Sequence, residues 1–268
     1  MGSLKVGVAL WSLSAGETEE GLMNALQTAA EIGFQGVQLW NVASYGPCVL
    51  DPDVCVGAQR TEWRKRVESF GLQISGFCAQ MSGPTRFGGF DEAEGIDERI
   101  AKTQRCIELA VDMGAPIVTT HPGVIPEDKS DPIYPIIRDA IEQIVRHAEK
   151  VGGIFCIETG MEPAPVLRKF IEDIGSPALK VNYDPANLLW YGVLEGVREL
   201  APHIVHTHAK DHHPETKKPT VGQGAVPWDE YIALLKSIGY DGWYAVEDES
   251  GQNVVESLRQ GLQFLSKY

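Results

Sequence analysis

The strict alternation of short apolar runs and amphipathic segments is the feature that most constrains the fold of this chain. Eight runs rich in β-branched or aromatic residues, the first at Lys5–Leu10 and the last at Gly242–Asp248, each precede a segment with apolar residues at three-to-four spacing. Buried parallel strands, and the helices that connect them, have this pattern. The sequence therefore predicts eight β-strands and eight α-helices in alternating order.

Two architectures fit this alternation, an open doubly wound sheet and a closed (β/α)8 barrel. The barrel is favoured because the strand count is eight and because 268 residues is close to the about 250 that barrels commonly need. No GxGxxG follows the first strand, and no linker or low-complexity stretch interrupts the chain. We predict an α/β fold, a (β/α)8 TIM barrel, with residues 1–268 as a single domain.

Charge and composition restrict the partners. The net charge of −14 opposes binding to nucleic acid and to anionic membranes, both of which attract clustered Lys and Arg. No run of about 18 apolar residues occurs, and Met1–Leu13 lacks the pattern of a signal peptide. The five cysteines form no CxxC pair and suit free thiols in a reducing compartment. We expect a cytoplasmic protein that binds a small neutral or polar molecule.

Each of the last four predicted strands carries an acidic or imidazole side chain at its carboxyl end. These side chains are Glu158, Asp184, His208 and Glu247. In a barrel the four strand ends are adjacent on one rim, so the side chains can face a common centre. One such residue alone is typical of a solvated rim, but four buried charges need a partner. Three carboxylates and an imidazole suit one divalent ion (Mn²⁺, Zn²⁺, Co²⁺ or Mg²⁺).

Other polar residues at strand ends are candidates for substrate binding. His121 follows the fourth predicted strand and could bind substrate, hold a second ion or be structural. His206 lies two residues before His208, on the same strand face, and could contact substrate or support its neighbour. Lys210 could stabilise an oxyanion or pair with Glu247, or be solvated.

Trp11 and Trp40 follow the first two predicted strands, where aromatic faces can stack on a sugar or simply pack in the loops. The glycine-containing segment after the seventh strand, residues 222–227, has no Lys or Arg placed with it to bind phosphate. The candidate ligand is therefore a small molecule without a phosphate group.

Seven segments carry a resemblance to a known family. They are GFQGVQLW (33–40), THPG (120–123), IET (157–159), NYDPANL (182–188), VHTHAKD (205–211), the glycines and tryptophan of 222–228, and GYDGWYAVE (239–247). With them the chain resembles the xylose-isomerase-like barrels, which include sugar isomerases, ketose 3-epimerases, inosose dehydratases and zinc-dependent abasic-site endonucleases. The resemblance implies that Glu158, Asp184, His208 and Glu247 hold one divalent metal.

The resemblance also implies an activity. It indicates a metal-dependent isomerase or epimerase of a small sugar or polyol ketone, acting through a cis-enediolate with Glu158 and Glu247 as the acid/base pair. An inosose-type dehydratase on the same site is the first alternative. A barrel that binds a sugar or a metal without turnover is the alternative from another class. The sequence is compatible with a homo-oligomer.

Two departures argue against the endonucleases of the family. Those enzymes hold extra metals with histidines, one placed three residues after the aspartate that matches Asp184 and one at the end of the third strand. Here the first position is Asn187, and Cys78–Gln80 offers no histidine at the second. Together with the negative charge, these substitutions favour a single metal and a small-molecule substrate.

Overall fold

The structure is a computed structural model that describes residues 3–14, 16–42, 48–85, 88–251 and 253–268. Eight strands and eight α-helices alternate along these residues. The strands are β1 Lys5–Ala9, β2 Gly36–Trp40, β3 Gln73–Cys78, β4 Ile117–Thr120, β5 Ile154–Glu158, β6 Leu179–Tyr183, β7 Ile204–Ala209 and β8 Trp243–Val246. The helices are α1 Glu19–Ile32, α2 Ala58–Ser69, α3 Ile96–Asp112, α4 Ile133–Val151, α5 Ala164–Ile174, α6 Val193–Leu200, α7 Trp228–Ser237 and α8 Val254–Leu265.

The eight strands close into a barrel. Each strand pairs in parallel with its neighbours in chain order, and β1 pairs with both β2 and β8. An open doubly wound sheet would leave two unpaired edges, so closure confirms the predicted (β/α)8 barrel. Gly36 on β2 allows Gln73 of β3 and the Trp243 ring of β8 to approach its backbone closely. A Cβ at this position would lie 2.7 Å from the Trp243 ring and 2.8 Å from the Gln73 carbonyl oxygen.

Local signals set the ends of the helices. Thr18 caps α1 by accepting a hydrogen bond from the Gly21 amide at 3.0 Å, and Gly33 ends the helix with φ of 103°. The three-to-four spacing predicts a helix over Asp131–Val151, but α4 begins at Ile133 because the Asp131 carboxylate accepts its backbone N–H. Among the described residues no helix is long and apolar enough to cross a membrane.

Strand alternation separates the apolar layer from the polar centre. Tyr183 on β6 points outward, where its ring stacks on Tyr231 of α7 with centroids 5.7 Å apart. Asn182 and Asp184, on either side of Tyr183, point into the barrel and are fully buried. The helices therefore cover an apolar outer surface, while the interior near the carboxyl ends of the strands carries polar side chains.

Asp211 organises the loop between β7 and α7. Its buried carboxylate accepts hydrogen bonds from the backbone amides of residues 212, 222, 224 and 226 at 2.9, 2.9, 3.0 and 3.2 Å. The indole N–H of Trp228 donates a fifth at 2.9 Å. One carboxylate thus fixes a loop that has little regular structure of its own.

Asp211→Asn is expected to lower the free energy of unfolding by about 3 kcal/mol, because an amide can accept on only one side and leaves buried donors unpaired. Urea unfolding followed by circular dichroism measures the loss. Asp241→Asn, at an exposed aspartate, makes the same chemical change and should alter stability by no more than about 0.5 kcal/mol. Equal stability of the two variants would contradict this role for Asp211.

Candidate metal centre

The four predicted ligands lie together at the carboxyl ends of β5 to β8. Glu158 is the last residue of β5, His208 lies in β7, and Asp184 and Glu247 directly follow β6 and β8. One ligand atom of each residue lies within 4.8 Å of those of the other three. His208 Nδ1 is 3.3 Å from Glu158 Oε1, 3.6 Å from Asp184 Oδ2 and 3.3 Å from Glu247 Oε2. This group could bind a metal ion.

The unused oxygen atoms of the site fit a divalent cation. Asp184 Oδ1 accepts the Ala186 and Asn187 amides at 2.9 and 3.1 Å, whereas the buried Oδ2 has no hydrogen bond. Glu247 Oε1 accepts the indole N–H of Trp11 at 2.9 Å, and its buried Oε2 has no hydrogen bond but lies 3.3 Å from both His208 Nδ1 and the Lys210 ammonium. The Asp184 and Glu247 carboxylates are therefore each fixed through one oxygen, and the other oxygen faces the centre of the group. Carboxylate oxygens are the ligand atoms that hard divalent ions prefer.

A hydrogen bond on the far side of the ring orients His208. Its Nε2 lies 2.9 Å from Gln38 Oε1, and Gln38 Nε2 donates to Thr119 Oγ1 at 2.9 Å. The Gln38 oxygen can only accept, so Nε2 carries a proton and Nδ1 faces the carboxylates, with its lone pair toward them when the ring is neutral. This tautomer is the one that can bind a metal through Nδ1.

The electrostatics of the metal-free group favour a cation at its centre. Burial opposes protonation of His208, yet the Glu158, Asp184 and Glu247 carboxylates raise its pKa well above the ordinary value. Burial likewise opposes ionisation of Glu158, but His208 and His121 hold the pKa of its carboxyl well below the usual range. Three buried carboxylates thus attract positive charge to the position between them, and a divalent ion would supply it.

His121 and Lys210 contact different carboxylates of this group. His121 Nε2 is 3.3 Å from Glu158 Oε1, and the Lys210 ammonium is 3.3 Å from Glu247 Oε2 and 4.0 Å from Asp184 Oδ2. Burial opposes ionisation of Glu247, but Lys210 and His208 lower the pKa of its carboxyl to about 2. Lys210 also contacts Glu249 at 2.9 Å. Both glutamates face His208 Nδ1, but Glu158 also faces the His121 imidazole and Glu247 also faces the Lys210 ammonium.

His206 lies deeper in the barrel than His208. It is fully buried, its Nδ1 is 2.8 Å from Asn182 Oδ1, and its Nε2 is 3.3 Å from Ser75 Oγ. Burial lowers the pKa of His206 to about 3, so the ring is neutral. Of the two roles that the sequence left open, these contacts favour support of the neighbouring ligands over contact with substrate.

The two tryptophans form an aromatic corner beside the ligands. Trp11 lies in the short 3-10 turn Leu10–Leu13 after β1, and its ring meets His208 and Trp40 edge to face, with centroids 5.8 and 6.3 Å apart. Trp40 ends β2 and is half-buried. Trp11 therefore has a polar role that the sequence did not suggest, because its indole N–H fixes Glu247.

Sequence reasoning missed two residues at the site and one buried carboxyl outside the group of four candidate ligands. Gln38 and Asn182 are polar residues within apolar strands, and that mismatch is the signal that could have identified them. Glu162, four residues after Glu158, is buried and accepts the Ile125 amide at 3.4 Å. Burial raises the pKa of its carboxyl to about 7. No periodic signal marks Glu162, because it lies in the loop between β5 and α5.

The sequence model of a protein family described as the xylose isomerase-like TIM barrel matches residues 26–268. The chain belongs to this family. The match covers the four candidate ligands, His121, His206, Lys210 and Trp40, and it begins after Trp11. The resemblance inferred from the motifs is thereby confirmed.

The chain is similar to a curated protein over about two thirds of its length and has the same fold as solved structures over nearly all of it. The uncharacterized protein MJ1311 of Methanocaldococcus jannaschii is 28% identical over 199 residues, which is 64% of this chain and 67% of that protein. A xylose isomerase domain protein from Planctomyces limnophilus has the same fold, with a TM-score of 0.83, 24% identity and coverage of 99% and 97% of the two chains. D-allulose 3-epimerase from Methylomonas sp., solved in complex with D-allulose, aligns with a TM-score of 0.78, 14% identity and coverage of 99% and 97%.

Proposed function

We propose that the protein is a divalent-metal-dependent isomerase or epimerase of a small sugar or polyol ketone. The observation that carries the proposal is the position of Glu158 and Glu247, whose Oε1 and Oε2 atoms each lie 3.3 Å from His208 Nδ1. A pair of carboxylates on two sides of one centre can remove and return a proton. The structure of the D-allulose 3-epimerase with its sugar supports a substrate of this class.

A bound divalent ion would polarise the carbonyl of an α-hydroxy ketone and favour negative charge on its oxygen. Glu158 would then accept the proton from the adjacent carbon, and Glu247 would deliver one from the opposite side. Return of a proton to the same carbon from the opposite face gives epimerisation. Delivery of the proton to the former carbonyl carbon, while the hydroxyl proton passes to the former carbonyl oxygen, gives isomerisation. The family contains chemistries that share this first step, so proton removal is the step to test.

The surrounding residues support this step. The Lys210 ammonium near Glu247 stabilises negative charge on substrate oxygens in a buried, low-dielectric setting. His121 beside Glu158 can hydrogen-bond a substrate hydroxyl. The Trp11 and Trp40 rings are aromatic surfaces of the kind on which sugars stack, and the Trp11 indole N–H donates to Glu247.

Deuterium exchange tests the proposed function. Protein is stripped with a chelator, resupplied with Mn²⁺ or Co²⁺ and incubated in D₂O with a panel of unphosphorylated ketoses and inososes. We expect mass spectrometry to find deuterium incorporated into at least one compound, without loss of water. Release of water with a new conjugated carbonyl absorbance would favour the dehydratase instead. Complete absence of exchange across the panel would favour a binding barrel without turnover.

A further inference from the structure

A line of buried polar side chains crosses the barrel beneath the metal centre. It runs from Ser75 on β3 to His206 on β7, Asn182 on β6 and Glu158 on β5. The successive contacts are 3.3 Å from Ser75 Oγ to His206 Nε2, 2.8 Å from His206 Nδ1 to Asn182 Oδ1, and 3.2 Å from Asn182 Nδ2 to Glu158 Oε2. The relative exposures of these residues, in the same order, are 4, 0, 0 and 6%. Polar groups buried to this extent require hydrogen-bond partners.

The direction of every bond in this line follows from Glu158. An ionised carboxylate can only accept, so the group of Asn182 that faces Glu158 Oε2 must be the amide NH₂. Asn182 Oδ1 then faces His206 and must accept, which places the ring proton of His206 on Nδ1. His206 Nε2 is left as an acceptor for the Ser75 hydroxyl. All three bonds therefore point toward Glu158.

This arrangement determines which oxygen of Glu158 remains for chemistry. Oε2 accepts the Asn182 amide at 3.2 Å, whereas Oε1 faces His208 Nδ1 and His121 Nε2, each at 3.3 Å, and accepts a longer hydrogen bond from Asn187 Nδ2 at 3.4 Å. Asn182 Nδ2 also lies 3.2 Å from His208 Nε2, but that nitrogen carries the proton donated to Gln38, so the contact is not a hydrogen bond. The Asn182 amide thus packs against the His208 ring and donates a hydrogen bond to Glu158. Glu247 is fixed differently, by the indole of Trp11.

We propose that His206 and Asn182 are positioning residues that hold Glu158 through a one-way hydrogen-bond chain and so direct Glu158 Oε1 toward the metal and the substrate. The proposal rests on the metal site proposed above. The decisive group is the Nδ1 proton of His206, because it fixes the orientation of the Asn182 amide. If this proton were absent, the amide could rotate and present its oxygen to the carboxylate, which would repel Glu158.

A pair of amide variants isolates that proton. In His206→Asn the side-chain NH₂ can take the place of Nδ1 and still donate to Asn182, whereas in His206→Gln the amide reaches toward the position of Nε2 and loses that donor. Both variants bury one amide at the same site, so their folding costs are matched. The measurement is Mn²⁺ affinity without substrate, obtained from the electron paramagnetic resonance signal of free Mn²⁺.

We expect His206→Gln to bind Mn²⁺ about 10- to 100-fold more weakly than the wild type, as is typical when a group supporting a metal ligand is lost. The Mn²⁺ affinity of His206→Asn should stay within about threefold of the wild-type value, a change much smaller than the loss expected for His206→Gln. Equal affinities of the two variants would overturn the proposal. Because no substrate is present, this result does not depend on whether the panel of ketoses shows exchange.

The tautomer of His206 provides a second measurement that needs neither a variant nor a metal. Long-range ¹H–¹⁵N correlation spectra of metal-free wild-type protein distinguish a proton on Nδ1 from a proton on Nε2. We expect the proton on Nδ1. The variant Asn182→Leu removes the oxygen that accepts this proton and should therefore change the chemical shift of His206 Nδ1. A ring protonated on Nε2 would reverse the chain and refute the proposed role.

Discussion

Glu158→Gln is expected to slow solvent-deuterium exchange into the substrate by about a thousandfold, the middle to upper range for loss of a general base. Glutamine has the same shape and can still accept the hydrogen bond from Asn182 on its carbonyl oxygen. It cannot take a proton from carbon. The exchange rate is measured by mass spectrometry at saturating metal, with Mn²⁺ affinity determined on the same sample so that a loss of metal is not mistaken for a loss of base.

Glu162→Gln is the matched control for this prediction. It makes the same change four residues further along the chain, in a buried carboxyl that lies outside the group of four ligands and accepts the Ile125 amide. The control should retain exchange within about tenfold of the wild type, well short of the loss expected for a general base. If Glu158→Gln also retained exchange within tenfold, Glu158 would have no part in proton removal.

The fold and the positions of the three acidic candidate ligands could be predicted from the sequence because both depend on local patterns. Eight apolar runs separated by amphipathic segments leave few architectures, and strand ends are adjacent in a barrel whatever the details of packing. Asp184 and Glu247 follow their strands directly, so their positions on the rim need only the strand boundaries. The same local reasoning identified Glu158 on β5 without any knowledge of its contacts.

The contacts between distant strands were not accessible, because they depend on how the barrel closes. Gln38 on β2 meets His208 on β7 across 170 positions of sequence, and Trp11 meets Glu247 across 236. The choice between His206 and His208 as the candidate ligand could not be made from strand pattern for the same reason. A shift of two residues keeps a side chain on the inner face of a strand but moves it from the rim into the interior, where His206 meets Ser75 and Asn182.

Addition of Mn²⁺ to chelator-treated protein is expected to raise the midpoint of thermal unfolding by about 10 °C. A ligand at a thousandfold excess over its dissociation constant contributes about 4 kcal/mol to stability, and in a domain of this size each kcal/mol shifts the midpoint by about 2–4 °C. The physical cause is the neutralisation of three buried carboxylates that converge on one position. Differential scanning calorimetry, with and without excess chelator, measures the shift.

Asp184→Asn separates binding at this centre from binding elsewhere. The variant keeps the side-chain oxygen that accepts the Ala186 and Asn187 amides but replaces the anionic Oδ2. Without metal it should be at least as stable as the wild type, because one of three converging negative charges is gone. With Mn²⁺ the wild type should be the more stable of the two proteins, because Mn²⁺ raises its unfolding midpoint by more than it raises that of Asp184→Asn. The control Asp241→Asn, at an exposed aspartate outside the group of candidate ligands, should keep the full Mn²⁺-induced rise in the unfolding midpoint. An equal rise in Asp184→Asn would contradict a metal held by this group.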